Sequence, residues 1–188
     1  MRTASRRTST GSDWAYRSTA GTPTALEGKW AVSFLASGSD RPAALETTVL
    51  KSWTELGGSE AQRFAGTARY RLEFDGPAAQ ADDWLLDLGE VRETARVRLN
   101  GHEVGTRWSL PFQVRVGEFL QAGHNVLELD VTNLAANRIR DLDQRGVKWR
   151  IMREINFVNI NYQPFDASAG RSRLPACSGR LLSRRSAH

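Results

Sequence analysis

Six tryptophans stand among the 188 residues, beside a scatter of carboxylates and only three histidines. Two kinds of chemistry on sugars could use that set. A sugar is held where the C–H face of a pyranose lies on an aromatic ring while Asp, Asn and Arg bond its hydroxyls. A glycosidic bond is cut where two carboxyls face the substrate about 5–10 Å apart. Trp30 and Trp84 sit in alternating text and read as core. Trp108 lies in the turn-rich Thr106-Arg107-Trp108-Ser109-Leu110-Pro111-Phe112, and Trp149 in an irregular apolar stretch. These two are the candidate sugar platforms; the competing reading makes each a lid on the core. Asn137, Arg138 and Asp141, in the polar run 137–146, are the candidate hydroxyl partners. Asp82, Asp83, Asp87, Asp130, Asp141 and Asp143 are available for acid–base work or calcium, or as plain solvated charges and caps. Asp141 and Asp143 with Asn137 could ligate a hard cation through oxygen. No other cofactor is expected. No nucleophile elbow, phosphate loop or zinc motif occurs. His102, His124 and His188 stand apart, and the single Cys177 excludes an internal disulfide or a cysteine zinc cluster.

Such residues need a scaffold, and the text supplies strands. Lys29 to Phe34 alternates bulky with small or polar residues. In residues 67–74, Ala68, Tyr70, Leu72 and Phe74 face one way and Arg69, Arg71 and Glu73 the other. Residues 83–88 form a third strand, closed by Gly89. Residues 95–99 run into Asn100-Gly101, the strongest short hairpin signal, and return through residues 103–105. Residues 112–116 and 126–131 alternate in the same way, joined by a turn with at most one helical turn. About seven or eight short strands spaced by turns, with almost no helix, predict an all-β fold: an antiparallel β-sandwich. Beyond Asn133 a long crossing loop is expected, with a short helix and a further strand at Phe157-Val158-Asn159-Ile160.

Length and charge narrow the class. The chain suits one domain of roughly 100–200 residues. It has no room for a sandwich plus a catalytic barrel of about 250 residues. Net charge is +5, but residues 1–20 carry +3, residues 167–188 carry +5 and residues 21–166 carry −3. The cations lie in polar ends and not in a stripe on the fold, so a nucleic-acid partner is not expected. No stretch approaches the ~20 apolar residues of a membrane span, so no membrane partner is expected either. The basic start lacks the apolar segment of a signal peptide, so the chain as written reads as cytoplasmic. The organisation expected is a disordered basic segment at 1–25, with Trp14 and Tyr16 as docking exceptions, a sandwich at 26–168, and a disordered Arg/Ser-rich tail at 169–188.

An ordered series carries a resemblance. It runs Phe64-Ala65-Gly66-Thr67-Ala68-Arg69-Tyr70, then Leu86-Asp87-Leu88-Gly89-Glu90-Val91, then Ala95 to Gly101. It continues with Gly105 to Phe112, Leu120-Gln121-Ala122-Gly123-His124-Asn125-Val126-Leu127, Val131-Thr132-Asn133 and Asn137-Arg138. The series resembles the sugar-binding jelly-roll domain, galactose-binding-like in fold, of glycoside hydrolases of the family 2 type. Within that group it is most similar to the C-terminal sandwich of family 106 α-L-rhamnosidase-like enzymes. The resemblance covers about residues 26–168. It implies an accessory module whose catalytic carboxylates lie in a separate barrel, in enzymes that are often exported. The expected function is therefore non-catalytic, either binding carbohydrate or bracing a glycoside hydrolase catalytic domain. In the bracing version Trp108 and Asn137 pack against that domain. The alternatives are a hydrolase active in its own right and an interaction module with nucleic-acid-attracting tails.

The text departs from the family after Ser168. Related sequences continue into W-P-L-P-x-S/A-G-L-L-G-P-V, a last strand. Reading the gene one base earlier from Ala169 permits W-P-L-P-P-A-G-L-L-G-P-V over residues 170–181, given suitable synonymous codons. The expectation is a frameshift near codon 169, a truncated product and an unpaired sheet edge; restoring the strand would raise the melting temperature.

Overall fold

The alternation of apolar and polar residues closes into two antiparallel sheets in a computed structural model, which describes residues 17–35, 41–78, 81–91, 93–149, 161, 163–170 and 180–186. In chain order the elements are β1 Arg17–Ala25, β2 Trp30–Phe34, β3 Leu45–Thr47, α1 Trp53–Leu56, α2 Ser59–Arg63, β4 Thr67–Asp75 and β5 Asp83–Asp87. They continue with β6 Thr94–Leu99, β7 His102–Arg107, β8 Gln113–Arg115, β9 His124–Thr132, α3 Ala136–Gln144 and β10 Arg180–Ser186. One sheet has six strands in the order β3-β2-β4-β9-β6-β7, the other four in the order β1-β10-β5-β8.

Strand period puts one face of each sheet inward. Ala68, Tyr70 and Leu72 of β4, Ala95, Val97 and Leu99 of β6, and Leu127, Leu129 and Val131 of β9 are all buried. They share one core with Leu86, Leu88, Val114 and Val116 on and beside the four-stranded sheet. One end of the sandwich, where β2 and β9 finish, is closed by aromatics. Phe34 meets Phe64 edge to face at 5.0 Å, and both rings contact the fully buried Trp53 of α1.

The opposite end is closed by polar bonds. Asn100 and Gly101 take φ of 53° and 82°, as a tight hairpin between β6 and β7 demands. The Asn100 amide donates to the Phe119 carbonyl and to Asn125 Oδ1, and its oxygen accepts from Val126 N. Asn125, fully buried, also accepts from Gln121 N and donates to the Gln121 and Gly123 carbonyls. Gly76 is required there: a Cβ would fall 1.8 Å from the Gln121 carbonyl oxygen.

The strands expected between residues 29 and 131, the hairpin and the helix after Asn133 are present. Two expectations are corrected. Residues 17–25 and 180–186, assigned by composition to disordered ends, are strands β1 and β10. The position of the expected missing strand is filled, because β10 pairs antiparallel with both β5 and β1. Backbone N–H and C=O groups make that ladder, and every residue here carries them whatever its side chain. The helices α1 and α2 were also not foreseen. Trp14, Tyr16, Cys177 and the candidate strand 157–160 lie outside the described residues.

Candidate functional site

Register places most of the candidate sugar residues at one end. Thr132 of β9 stands opposite Thr94, and Arg107 of β7 opposite the next residue, Ala95. Trp108, just past β7, and α3, just past β9, therefore leave the same end of the six-stranded sheet. Their strands are separated only by β6, or about 10 Å.

Trp108 sits on a loop pinned at its base. Arg107 Nε donates to the Gln113 carbonyl at 2.8 Å, Gln113 N donates to the Pro111 carbonyl at 2.8 Å, and Phe112 is buried in the core. Gln113 Nε2 also donates to Asp87 Oδ2. Between these anchors the tip faces solvent: Trp108 is 75% and Leu110 78% exposed. Residues 108–111 thus form an apolar knob on a fixed base.

The candidates on and after α3 carry bonds of their own within the protein. Asn137 is 2% exposed, so its amide faces protein. Arg138 is half-buried. Asp141 Oδ2 accepts from Arg145 Nη2 at 2.7 Å and Nε at 3.0 Å, a pair one helical turn apart. Trp149 is half-buried and its indole N–H donates to Asp143 Oδ1 at 2.6 Å, while Asp143 Oδ2 accepts from Ala167 N at 2.9 Å. Trp149 and Asp143 together tie the end of α3 to the chain that follows. Asp141 and Asp143 are each committed to a bond within the protein. Among the described residues, no three His, Cys, Asp or Glu side chains stand where they could hold a metal ion.

Asp130, another carboxylate singled out for its type, lies on the outer face of the six-stranded sheet. Arg69 grips it with Nε to Oδ1 at 2.7 Å and Nη2 to Oδ2 at 3.0 Å, and Arg98 Nη1 reaches Oδ2 at 2.8 Å. Arg69 Nη1 also reaches Glu128 at 3.3 Å. Burial opposes the charge on Asp130, but the hydrogen bonds and positive charges of Arg69 and Arg98 outweigh it and hold the carboxyl below its ordinary range. The hydrogen bond to Asp130 raises the Arg69 guanidinium in turn. A carboxylate held this way stays ionised, which unfits it as a general acid.

Residues that sequence reasoning passed over include Asn125 and Asn100. Their partners lie 4 and 25 residues away, and only the Asn-Gly turn signalled half of the pair.

Known proteins resemble this chain in sequence and fold. The family model described as glycosyl hydrolase 2 galactose-binding domain-like matches residues 59–167. A putative beta-glucuronidase of Formosa agariphila is 37% identical over 142 residues, covering 67% of this chain and 12% of that protein. The solved rhamnosidase from Novosphingobium sp. PP1Y superposes with a TM-score of 0.69 at 27% identity, over 95% of this chain and 16% of that one. The beta-glucuronidase of an uncultured Clostridium sp. shares the fold, with a TM-score of 0.58 at 19% identity, over 93% of this chain and 30% of that one. The chain thus spans a small part, 12% to 30%, of the length of these relatives. The matched segment runs from α2 through β4–β9 and α3, and so takes in four of the six strands of the larger sheet: by that match the chain belongs to the glycosyl hydrolase 2 galactose-binding domain-like family.

Proposed function

We propose that this chain is a non-catalytic bracing module of a larger, α-L-rhamnosidase-like glycoside hydrolase, seated on the rest of that enzyme through residues 108–111. The observation that carries the reading is the knob itself, with Trp108 75% and Leu110 78% exposed on a loop anchored by Phe112 and Arg107. A convex pair of large apolar side chains on a rigid base is suited to a pocket in a partner, where tryptophan is among the strongest anchors. It is less suited to enclosing a sugar, which needs a concave site. The likeness to the Novosphingobium rhamnosidase supports the class of enzyme.

The test is a graft. This chain replaces the matching segment of that rhamnosidase, with and without Trp108→Ala plus Leu110→Ser. The unaltered graft is expected to keep hydrolysis of a rhamnoside and the melting temperature; the double variant should lose both. Equal behaviour of the two grafts would sink the bracing reading.

The exposed indole favours one second reading, carbohydrate binding at Trp108. Calorimetry with rhamnose-containing glycans separates the two, since only this reading expects saturable heat that Trp108→Ala removes.

A further inference from the structure

The knob alone makes a small seat. A buried tryptophan contributes about 150–250 Å² and a leucine less, whereas a stable interface covers about 800 Å² on each partner. The rest of the seat has to come from surface beside the knob, and sheet register shows what lies there.

One transverse row crosses five strands at the knob end. Thr67 of β4 stands opposite Thr132 of β9, and Thr132 opposite Thr94 of β6. Ala95 faces Arg107, so the next step sets Trp108 beside Thr94. Phe34 of β2 faces Ala68, so the next step sets Leu35 beside Thr67, where Leu35 N donates to the Thr67 carbonyl at 2.8 Å. The row therefore reads Leu35, Thr67, Thr132, Thr94, Trp108. Its four strand spacings span about 19 Å. Phe34, Ala68, Ala95 and Val131, one position further into their strands, are buried. Alternation then turns Leu35 and the three threonines to the outer face of the sheet.

The row has the relief of a trough. Leu35 is 45% exposed at one end and Trp108 stands free at the other, with half-buried threonines between them. Leu134, two residues past Thr132, is 55% exposed beyond the middle strand. The floor is fixed, since the Thr67 and Thr132 hydroxyls bond each other at 2.8 Å. Asn133 clamps the edge below Leu134. Its N donates to the Gly66 carbonyl at 3.1 Å, its Oδ1 accepts from Gly66 N at 2.9 Å, and its Nδ2 donates to the Phe64 carbonyl at 3.0 Å. The surface is thus set before any partner arrives, which lowers the entropic cost of docking. Four of the seven large apolar side chains exposed among the described residues, Leu35, Leu134, Trp108 and Leu110, sit on this one end, as a shared cover would require.

We infer, on the bracing reading, that the seat is this whole strip, from the knob across the threonine row to Leu134 and Leu35, and that it takes an uncharged apolar ridge about 19 Å long from the part of the enzyme outside this domain. The chain spans only 12% to 30% of its relatives' length, so the ridge has ample chain to come from. A charge laid over the floor would lose its water with only threonine hydroxyls in exchange, a net cost.

The test compares the intact chain alone with the rhamnosidase graft by hydroxyl-radical footprinting. Labelling of Leu35, Leu134 and Trp108 should each fall by about threefold or more in the graft, because a seated side chain is closed to water. Leu35→Ser with Leu134→Ser should lower the melting temperature of the graft by more than about 2 °C and leave that of the chain alone unchanged, since both leucines are exposed in it. Protection of Trp108 without Leu35 and Leu134 would overturn the strip and leave the bracing reading standing. Absence of protection at all three would overturn both. An equal fall in the melting temperature of the chain alone would also overturn the strip, because the leucines would then serve the fold.

Discussion

At the scale of single residues, burial and partners decide what a side chain can do, and type alone does not. Asp130 and Asp141 look alike in the sequence. Asp130 is 8% exposed and held by two arginines, whereas Asp141 sits in an i,i+4 pair with Arg145, whose side chain is 51% exposed. The first is worth far more than the second. Because the folded state depresses the Asp130 pKa below its ordinary 3.8, its contribution is present above about pH 4 and is lost as pH falls through the lower folded value. Asp130→Asn should therefore cost about 2 kcal/mol at pH 7, since it leaves Arg69 and Arg98 without their shared anion. The gap between variant and parent should narrow at pH 3, measured by urea unfolding at both pH values. A gap that stays the same or widens in acid would contradict the assignment. Sequence could not separate these two carboxylates. Arg69 lies 61 residues from Asp130 and Arg98 32 residues away, and only sheet register brings them together. The same limit explains Asn137 and Trp149. Both look available in a polar or irregular run, yet one is buried and the other is tied to Asp143. For Trp108 the turn-rich surroundings left a platform and a lid on the core as competing readings, and the exposed indole excludes the lid.

At the scale of elements, strands with one wet face announced themselves. Ala68, Tyr70 and Leu72 alternate with Arg69 and Arg71 because β4 is dry on one side only. The Asn100-Gly101 turn was equally plain, since few residues tolerate φ above zero at both positions. α1 left no such trace. Its four residues are too few for a helical period, and Ser52, whose hydroxyl accepts from Thr54 N at 3.1 Å, is the only local sign of its start. The stitching of the far end was invisible for a different reason: one asparagine joins its own turn to a hairpin 25 residues away. Asn125 bonds Asn100, Gln121 and Gly123, and so fixes the turn before β9 against the β6–β7 hairpin. Asn125→Ala would leave several buried donors and acceptors unsatisfied and should cost about 3 kcal/mol. Denaturant titration gives the number, and amide exchange should locate the loss at residues 117–126. A cost under about 1 kcal/mol would mean that water replaces the asparagine.

At the scale of the whole molecule, the placement of the C-terminal strand matters most. The net charge of +5 combines a −3 middle with basic ends, and five arginines lie in residues 167–188. Composition made those ends look like loose tails, yet β10 occupies an inner position of the four-stranded sheet, between β1 and β5. Leu181 stands opposite Leu86 and Ser183 opposite Trp84 in register. An inner strand contributes two ladders, so its removal strips hydrogen bonds from both neighbours and leaves two new edges. β1 would then lose the strand that joins it to the rest of its sheet. Deleting residues 180–188 should therefore lower the melting temperature by more than 5 °C, the shift expected for a loss of at least 1–2 kcal/mol in a domain of this size. It should also promote association, because β5 would present an unpaired edge. Differential scanning fluorimetry and light scattering over a tenfold concentration range read the two effects. The pair of outcomes is diagnostic: a tail that merely trails from the sandwich would leave both measurements unchanged on deletion, whereas an inner strand cannot be removed without moving both.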